Sequence, residues 1–180
     1  MELGKEILFL SNADIEASGV TPGEINRAIE AMFAAKAAGR TAIRPKVSIN
    51  LDEGQQFQAK AGVMQAPAYA AVKWVAPTPA NEGRGLMSYR PLIILNDSVT
   101  GLPLAFMDGM WVTGTRTAAI SAVAAKYLAR HDSRSIGFLA CGLQARTHLD
   151  AMRAEFPIER VLAYSRRRET AQAFVERART

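Results

Sequence analysis

Ile136-Gly137-Phe138-Leu139-Ala140-Cys141-Gly142-Leu143-Gln144-Ala145 carries the strongest architectural signal in the chain. Ile136 to Ala140 reads as a strand, and a helix is predicted from Leu143 to about Glu155. The turn between them is built from small residues. Against the pattern G-x-G-x-x-G/A, Gly142 and the final Ala145 are kept, and Ala140 stands where the first glycine is expected. Small residues let a pyrophosphate approach the N–H groups that open the helix, where the helix dipole also favours an anion. A second strand, Val161 to Ser165, follows about 20 residues later. A helix from Glu169 to Arg179 closes the sequence. This strand–helix–strand order is a βαβ unit. The turn reads either as a dinucleotide site or as a tight turn with a purely structural role. Cys141 reads as a small filler residue.

Upstream, a helix is predicted from near Thr113 or Thr115 to about Arg130, with a domain boundary near Asp108-Gly109. Between residues 43 and 108 the period is two. Val47, Ile49 and Leu51 alternate with polar residues, Asp52-Glu53-Gly54 reads as a turn, and Phe57, Ala59, Ala61 and Val63 form a second alternating set. Residues 69–76 read as a mostly buried strand, and Pro77 to Gly85 as a loop. Residues 90–95 and 102–107 read as strands joined by the loop Asn96 to Gly101. At the N-terminus a short strand, Ile7 to Leu10, leads into a helical turn at Ser11 or Asn12. Thr21-Pro22-Gly23-Glu24 is a capping box with proline at the first helical position. The helix it opens carries Ile25, Ile29, Met32 and Phe33 and stops at Gly39. The expected fold class is α/β: a mainly β, mixed domain over residues 1–112, then a partial Rossmann domain over 113–180.

The 180 residues are 49% apolar and 22% charged, which excludes a mostly disordered chain. One cysteine excludes a disulfide scaffold. No apolar run approaches a membrane span, and Ile7 to Leu10 is too short for a signal peptide, so the expected location is the cytoplasm. The net charge is +5. The local basic run is Arg166-Arg167-Arg168. It suits an anion such as a phosphate better than nucleic acid, because no aromatic residues are interleaved with it.

Three further cations stand out. Lys73 lies in an otherwise apolar strand, so its ammonium either reaches the rim or meets an anion. Arg116 is predicted in the first turn of its helix, against the dipole, and calls for a compensating anion or a surface ion pair. Arg44 is held extended by Pro45. His131 and His148 read as surface residues without partners at metal-ligand spacing, and no metal is expected.

Ile43-Arg44-Pro45, Val72-Lys73-Trp74-Val75 with Asn81 downstream, Asp97 to Gly101, Thr115-Arg116-Thr117-Ala118-Ala119 and Gly142-Leu143-Gln144-Ala145 follow one another in order. Together they resemble the ornithine cyclodeaminase/mu-crystallin family, from about residue 7 to the end. The resemblance implies a homodimer with a substrate-binding and dimerisation domain followed by an NAD(P)-binding Rossmann domain. It implies hydride chemistry at a carbon bearing an amino or imino group beside a carboxylate. It places Arg44, Lys73 and Arg116 on that carboxylate, Ser88 and Arg116 against the cofactor, and Gly142, Leu143 and Gln144 around its pyrophosphate.

Two departures follow. The family's catalytic aspartate falls beyond residue 180, so no residue here takes its role, and the expectation is a fragment or a truncated product. Ornithine cyclodeaminases also carry an acid between the arginine and lysine motifs that holds the distal ammonium. Phe57 to Val72 contains no acid and has Lys60, which speaks against a cationic tail. The favoured expectation is a ketimine or cyclic-imine reductase or an amino-acid dehydrogenase. Ornithine cyclodeamination is one alternative, and a non-catalytic binding protein or remnant is another. At the end of the second Rossmann strand, Ser165 stands where NAD-selective relatives carry an acid, with Arg166 and Arg167 following. This pattern predicts NADP in preference to NAD, the alternative being a solvated basic face.

Overall fold

The computed structural model describes residues 2–51 and 55–179. The chain divides into two compact units, Met1–Gly19 with Met32–Trp111, and Val20–Ala31 with Val112–Thr180. The sequence expects a single cut between 112 and 113. A single cut cannot express the grouping of Val20–Ala31 with the second unit.

The first unit is built on a seven-stranded mixed sheet. Its strands are β1 (Leu8–Leu10), β2 (Thr41–Ile43), β3 (Val47–Asn50), β4 (Gln56–Gln65), β5 (Ala68–Val75), β6 (Leu92–Asp97) and β7 (Pro103–Asp108). Their order is β1-β7-β6-β5-β4-β2, with β3 also paired to β4. β1 runs parallel to β7 and the other pairs are antiparallel. The turn expected at Asp52-Glu53-Gly54 lies outside the described residues. Helix α1 (Asn12–Ala17) starts at a reciprocal cap: the Asp14 N–H donates to Ser11 Oγ, and the Ser11 N–H donates to Asp14 Oδ2 at 2.8 Å.

Side chains alternate across this sheet, and its two faces differ. Ile93, Ala105, Val75 and Gln58 share one face and are buried. Phe9, Val47, Ile49, Val63, Trp74 and Ile94 share the other and stay exposed, Phe9 at 76% and Val47 at 63%. The strand at 69–76 is therefore not mostly buried, because half its side chains point to this open face. The segment read as a loop after Pro77 contains a 3-10 helix, Pro79–Arg84. The Asn96 to Gly101 loop is shorter than expected, since β6 reaches Asp97. The Asp97 carboxylate accepts the N–H groups of Val99 and Thr100 and the Thr100 hydroxyl, which closes the turn and lowers its pKa.

The second unit holds β8 (Ser135–Leu139), α4 (Leu143–Arg153), β9 (Arg160–Tyr164) and α5 (Arg168–Ala178). β8 and β9 are parallel, with Leu139 level with Tyr164. Helix α2 (Pro22–Ala37) opens at the Thr21–Glu24 capping box, and Gly39 follows it with φ +72°. Its most buried residue is polar. The Asn26 amide donates to Ala151 O at 3.0 Å and to Glu155 Oε1 at 2.9 Å. Helix α3 (Met110–Leu128) buries Gly114, Ala118, Ala119 and Ala122. A Cβ on Gly114 would sit 3.1 Å from Thr147 Cγ2, a contact tight enough that Thr147 would have to give by a few tenths of an ångström. Cys141, Ala145, Leu149 and Phe174 form the core under one face of the β8–β9 pair, with Phe138 edge-on to Phe174 at 5.0 Å. The other face is bare: Leu139 is 86% exposed, Tyr164 65% and Leu162 57%.

Candidate functional site

The turn after β8 has the geometry of a ligand cradle. Ala140 takes φ +81°, the left-handed region that the expected glycine would occupy without strain. Its N–H donates to Tyr164 O at 2.8 Å, which fixes the end of β8 against the end of β9. Cys141 is buried in the core as a filler, with its thiol 3.5 Å from Tyr164 O. Gly142 is the N-cap of α4, and no side chain caps the helix. The N–H groups of its first turn have no partner within the helix, as at every helix start. A Cβ placed on Gly142 would meet nothing within 4 Å, so the space above the turn is open. Leu143 and Gln144 are exposed in the first turn of α4.

Ser165 follows β9 directly and is half-buried, while Arg166 and Arg167 are exposed. Because β8 and β9 are parallel and in register, the turn and Ser165 lie side by side at the carboxyl end of the pair. That is where open α/β sheets receive ligands. The arrangement fits a dinucleotide: uncapped amides for a pyrophosphate, and a hydroxyl with two guanidinium groups one strand away.

Lys73 occupies β5 in the first unit, half-buried, on the same face as Ile93. Its Nζ donates to the Tyr89 hydroxyl at 2.9 Å and lies 5.6 Å from the centre of that ring. Tyr89 ends a segment secured from within. The Thr78 N–H donates to Ser88 O at 2.8 Å, and the Asn81 amide donates to Met87 O at 3.0 Å. Asn81 thus fastens the segment that carries Ser88 and Tyr89. The next residue, Arg90, pairs with the buried Asp108 at 3.1 Å, and Asp108 Oδ1 accepts the Met110 N–H at 2.8 Å. Arg44 is exposed in the link between β2 and β3.

Two expectations need correction. Helix α3 begins at Met110, so Arg116 lies in its second turn and not its first. The argument from an opposing dipole lapses, since that effect is confined to the first turn. His148 is not a bare surface residue. It is half-buried, with Nδ1 2.6 Å from Gln144 O and Nε2 3.1 Å from Ser121 Oγ. A backbone carbonyl only accepts, so Nδ1 donates to it.

Sequence reasoning missed Tyr89. The available signal was the lysine itself, since a partly buried ammonium implies an acceptor. No group of three possible metal ligands occurs among the described residues.

The ornithine cyclodeaminase/mu-crystallin family matches residues 5–180. The chain belongs to that family. It is 39% identical over 170 residues to an alanine dehydrogenase of Archaeoglobus fulgidus, a match covering 94% of this chain and 52% of the relative. A Δ1-pyrroline-2-carboxylate reductase of Bacillus cereus is 38% identical over 105 residues, 58% of this chain and 32% of the relative. Among solved structures, an archaeal alanine dehydrogenase dimer with bound NAD superposes with a TM-score of 0.89 at 37% identity, covering 96% of this chain and 53% of that one. The Thermococcus litoralis Δ1-pyrroline-2-carboxylate reductase, in complex with NADH and L-proline, also gives 0.89, at 34% identity and the same coverage. The chain thus spans about half the length of the alanine dehydrogenase and of both solved structures. No helix among the described residues is long and apolar enough to cross a membrane.

Proposed function

We propose that this chain is the part of an NAD(P)-dependent amino- or imino-acid oxidoreductase that recognises the substrate carboxylate and the cofactor pyrophosphate. The observation that carries the reading is Lys73: a half-buried ammonium held in place by the Tyr89 hydroxyl. A lysine fixed in this way is ready to meet a carboxylate, and charged hydrogen bonds of this kind are the strong ones. Arg44 joins Lys73 on that carboxylate, and Arg116 keeps the roles that the resemblance gives it toward carboxylate and cofactor, with Ser88.

Gly142, Leu143 and Gln144 hold the pyrophosphate at the start of α4, whose N–H groups and dipole face it. Ser165, Arg166 and Arg167 take the adenosine ribose, and their chemistry favours the 2′-phosphate of NADP over the hydroxyl of NAD. A nicotinamide cofactor held there would supply hydride chemistry at the carbon beside the carboxylate. The chain's own residues hold that carboxylate and orient it, which lowers the entropic part of the barrier. A second copy of the chain covers the open face of the seven-stranded sheet.

The test is Lys73→Met, with two titrations. Carboxylate binding should weaken about 10-fold or more, by loss of a charged hydrogen bond, while NADPH affinity stays within about 2-fold. Unchanged carboxylate binding would overturn the reading.

A further inference from the structure

We propose that His148, fastened to Ser121, is a positioning residue for the cofactor and sets the first turn of α4 against α3. The proposal rests on the reading of that turn as the pyrophosphate cradle. The turn is weakly held by its own backbone. No side chain caps it, and its opening hydrogen bond, from the Arg146 N–H to Gly142 O, is 3.4 Å long. Ordinary N–H···O bonds are about 2.9–3.0 Å. Leu143 and Gln144 are both exposed, so packing restrains them little.

Support comes from the following turn. The Thr147 hydroxyl lies 3.2 Å from Gln144 O and 3.4 Å from Leu143 O, and His148 Nδ1 donates to Gln144 O at 2.6 Å. Both residues also meet α3. The Thr147 methyl group faces Gly114, and His148 Nε2 lies 3.1 Å from Ser121 Oγ. Gly114, Ala118, Ser121 and Ala122 recur at i, i+4, i+7 and i+8, which is one face of α3. Ala118 and Ala122 pack with Ala151 of α4. Small residues thus bring the helices together, and the imidazole is a polar link between them. Helix α3 also carries Arg116, so the link holds the α4 amides and the Arg116 guanidinium on one frame. A cradle ordered in advance does not have to be ordered by the ligand.

The experiment titrates NADPH and NADH into the full chain and its variants, with a urea midpoint for each. The two cofactors carry the same pyrophosphate. Ser121→Ala and His148→Phe should therefore weaken both alike, by about 3- to 10-fold, the scale of one neutral hydrogen bond. The double variant should lose no more than His148→Phe, because the serine acts through the imidazole. Alanine is favoured in a helix, so Ser121→Ala decides the matter where His148→Phe fails to fold. A lower urea midpoint with parent-like affinities marks a purely structural tie; it overturns the positioning role and leaves the cradle reading standing. Unchanged affinities and midpoints do the same. Losses that add in the double variant also overturn it, as does a loss confined to NADPH, which would lie at the ribose. Failure of the parent to bind either cofactor overturns both readings.

Discussion

The Tyr89 hydroxyl accepts a hydrogen bond from Lys73 Nζ at 2.9 Å, and the same ring lies 5.6 Å below that nitrogen. One side chain thus restrains the ammonium in two ways. Tyr89→Phe removes the acceptor and keeps the ring. The expected result is a carboxylate affinity lowered about 3- to 10-fold, with the urea midpoint of unfolding nearly unchanged. Unchanged affinity in a calorimetric titration would show that the hydroxyl does not position the lysine.

Ala140 holds φ +81°. An L-residue with a Cβ pays roughly 1–2 kcal/mol there, and the greater freedom of glycine in the unfolded chain offsets part of the relief. Ala140→Gly should therefore stabilise the protein by up to about 1 kcal/mol. NADPH affinity should hold or rise, because the glycine restores the first position of the fingerprint. A lower melting temperature would contradict this account of the turn.

Glu30, on α2, binds Lys126 of α3 at 2.8 Å and accepts from the Tyr127 hydroxyl. The Lys126 ammonium, then the Tyr127 hydroxyl, hold the Glu30 carboxyl below its ordinary 4.5. Glu30 in turn raises Lys126 above 10.5. The lowered carboxyl contributes stability that is fully present above pH 4.5 and is lost as pH falls through its folded value. The raised ammonium contributes stability that is fully present below pH 10.5 and is lost as pH rises through its folded value. Urea midpoints should therefore fall at both ends of the pH range. In Glu30→Gln both falls should be shallower, and identical profiles for parent and variant would remove this tie from the stability of the second unit.

The proposed function puts cofactor choice at Arg166. NADPH should bind more tightly than NADH, and Arg166→Ala should weaken NADPH by ~1–3 kcal/mol, about 5- to 150-fold, with NADH unaffected. Equal affinities in the parent would refute the preference.

The open sheet face gives a prediction of assembly. Val47 and Ile94 lie on it, both exposed. A charge there is incompatible with an apolar interface, so Ile94→Glu should turn a dimer into a monomer in light scattering at micromolar concentration. A parent that is already monomeric would count against the interface.

Local signals were legible in the sequence. The helical turn at Ser11 or Asn12, the capping box at Thr21 and the strand–turn–helix at Gly142 each depend on a few neighbouring residues, and each lies within a residue or two of its expected place. The sequence predicts the α3 start near Thr113 or Thr115, beyond a boundary at Asp108-Gly109, whereas the helix opens at Met110. The Asp108 carboxylate caps the Met110 N–H, and Trp111, Val112 and Thr113 then continue a helix that their side chains alone do not announce. The apolar run Tyr69 to Ala76 predicts more burial than the strand has, because such a run records the absence of polar groups and not the presence of a covering layer. Tyr89 could not be paired with Lys73 from spacing, since 16 residues and a separate segment lie between them.

Among the described residues, β8 and β9 pair as strands only with each other. In each strand, successive amides point alternately toward the partner and away from it. Only those pointing inward are held in the ladder. Deuterium uptake along 135–139 and 160–164 should therefore be staggered residue by residue, slow and fast sites alternating within a single strand. The central strand β5, paired on both sides from Tyr69 to Trp74, should exchange slowly at every position of that run. The isotope pattern would thus report, amide by amide, how many neighbours each strand has.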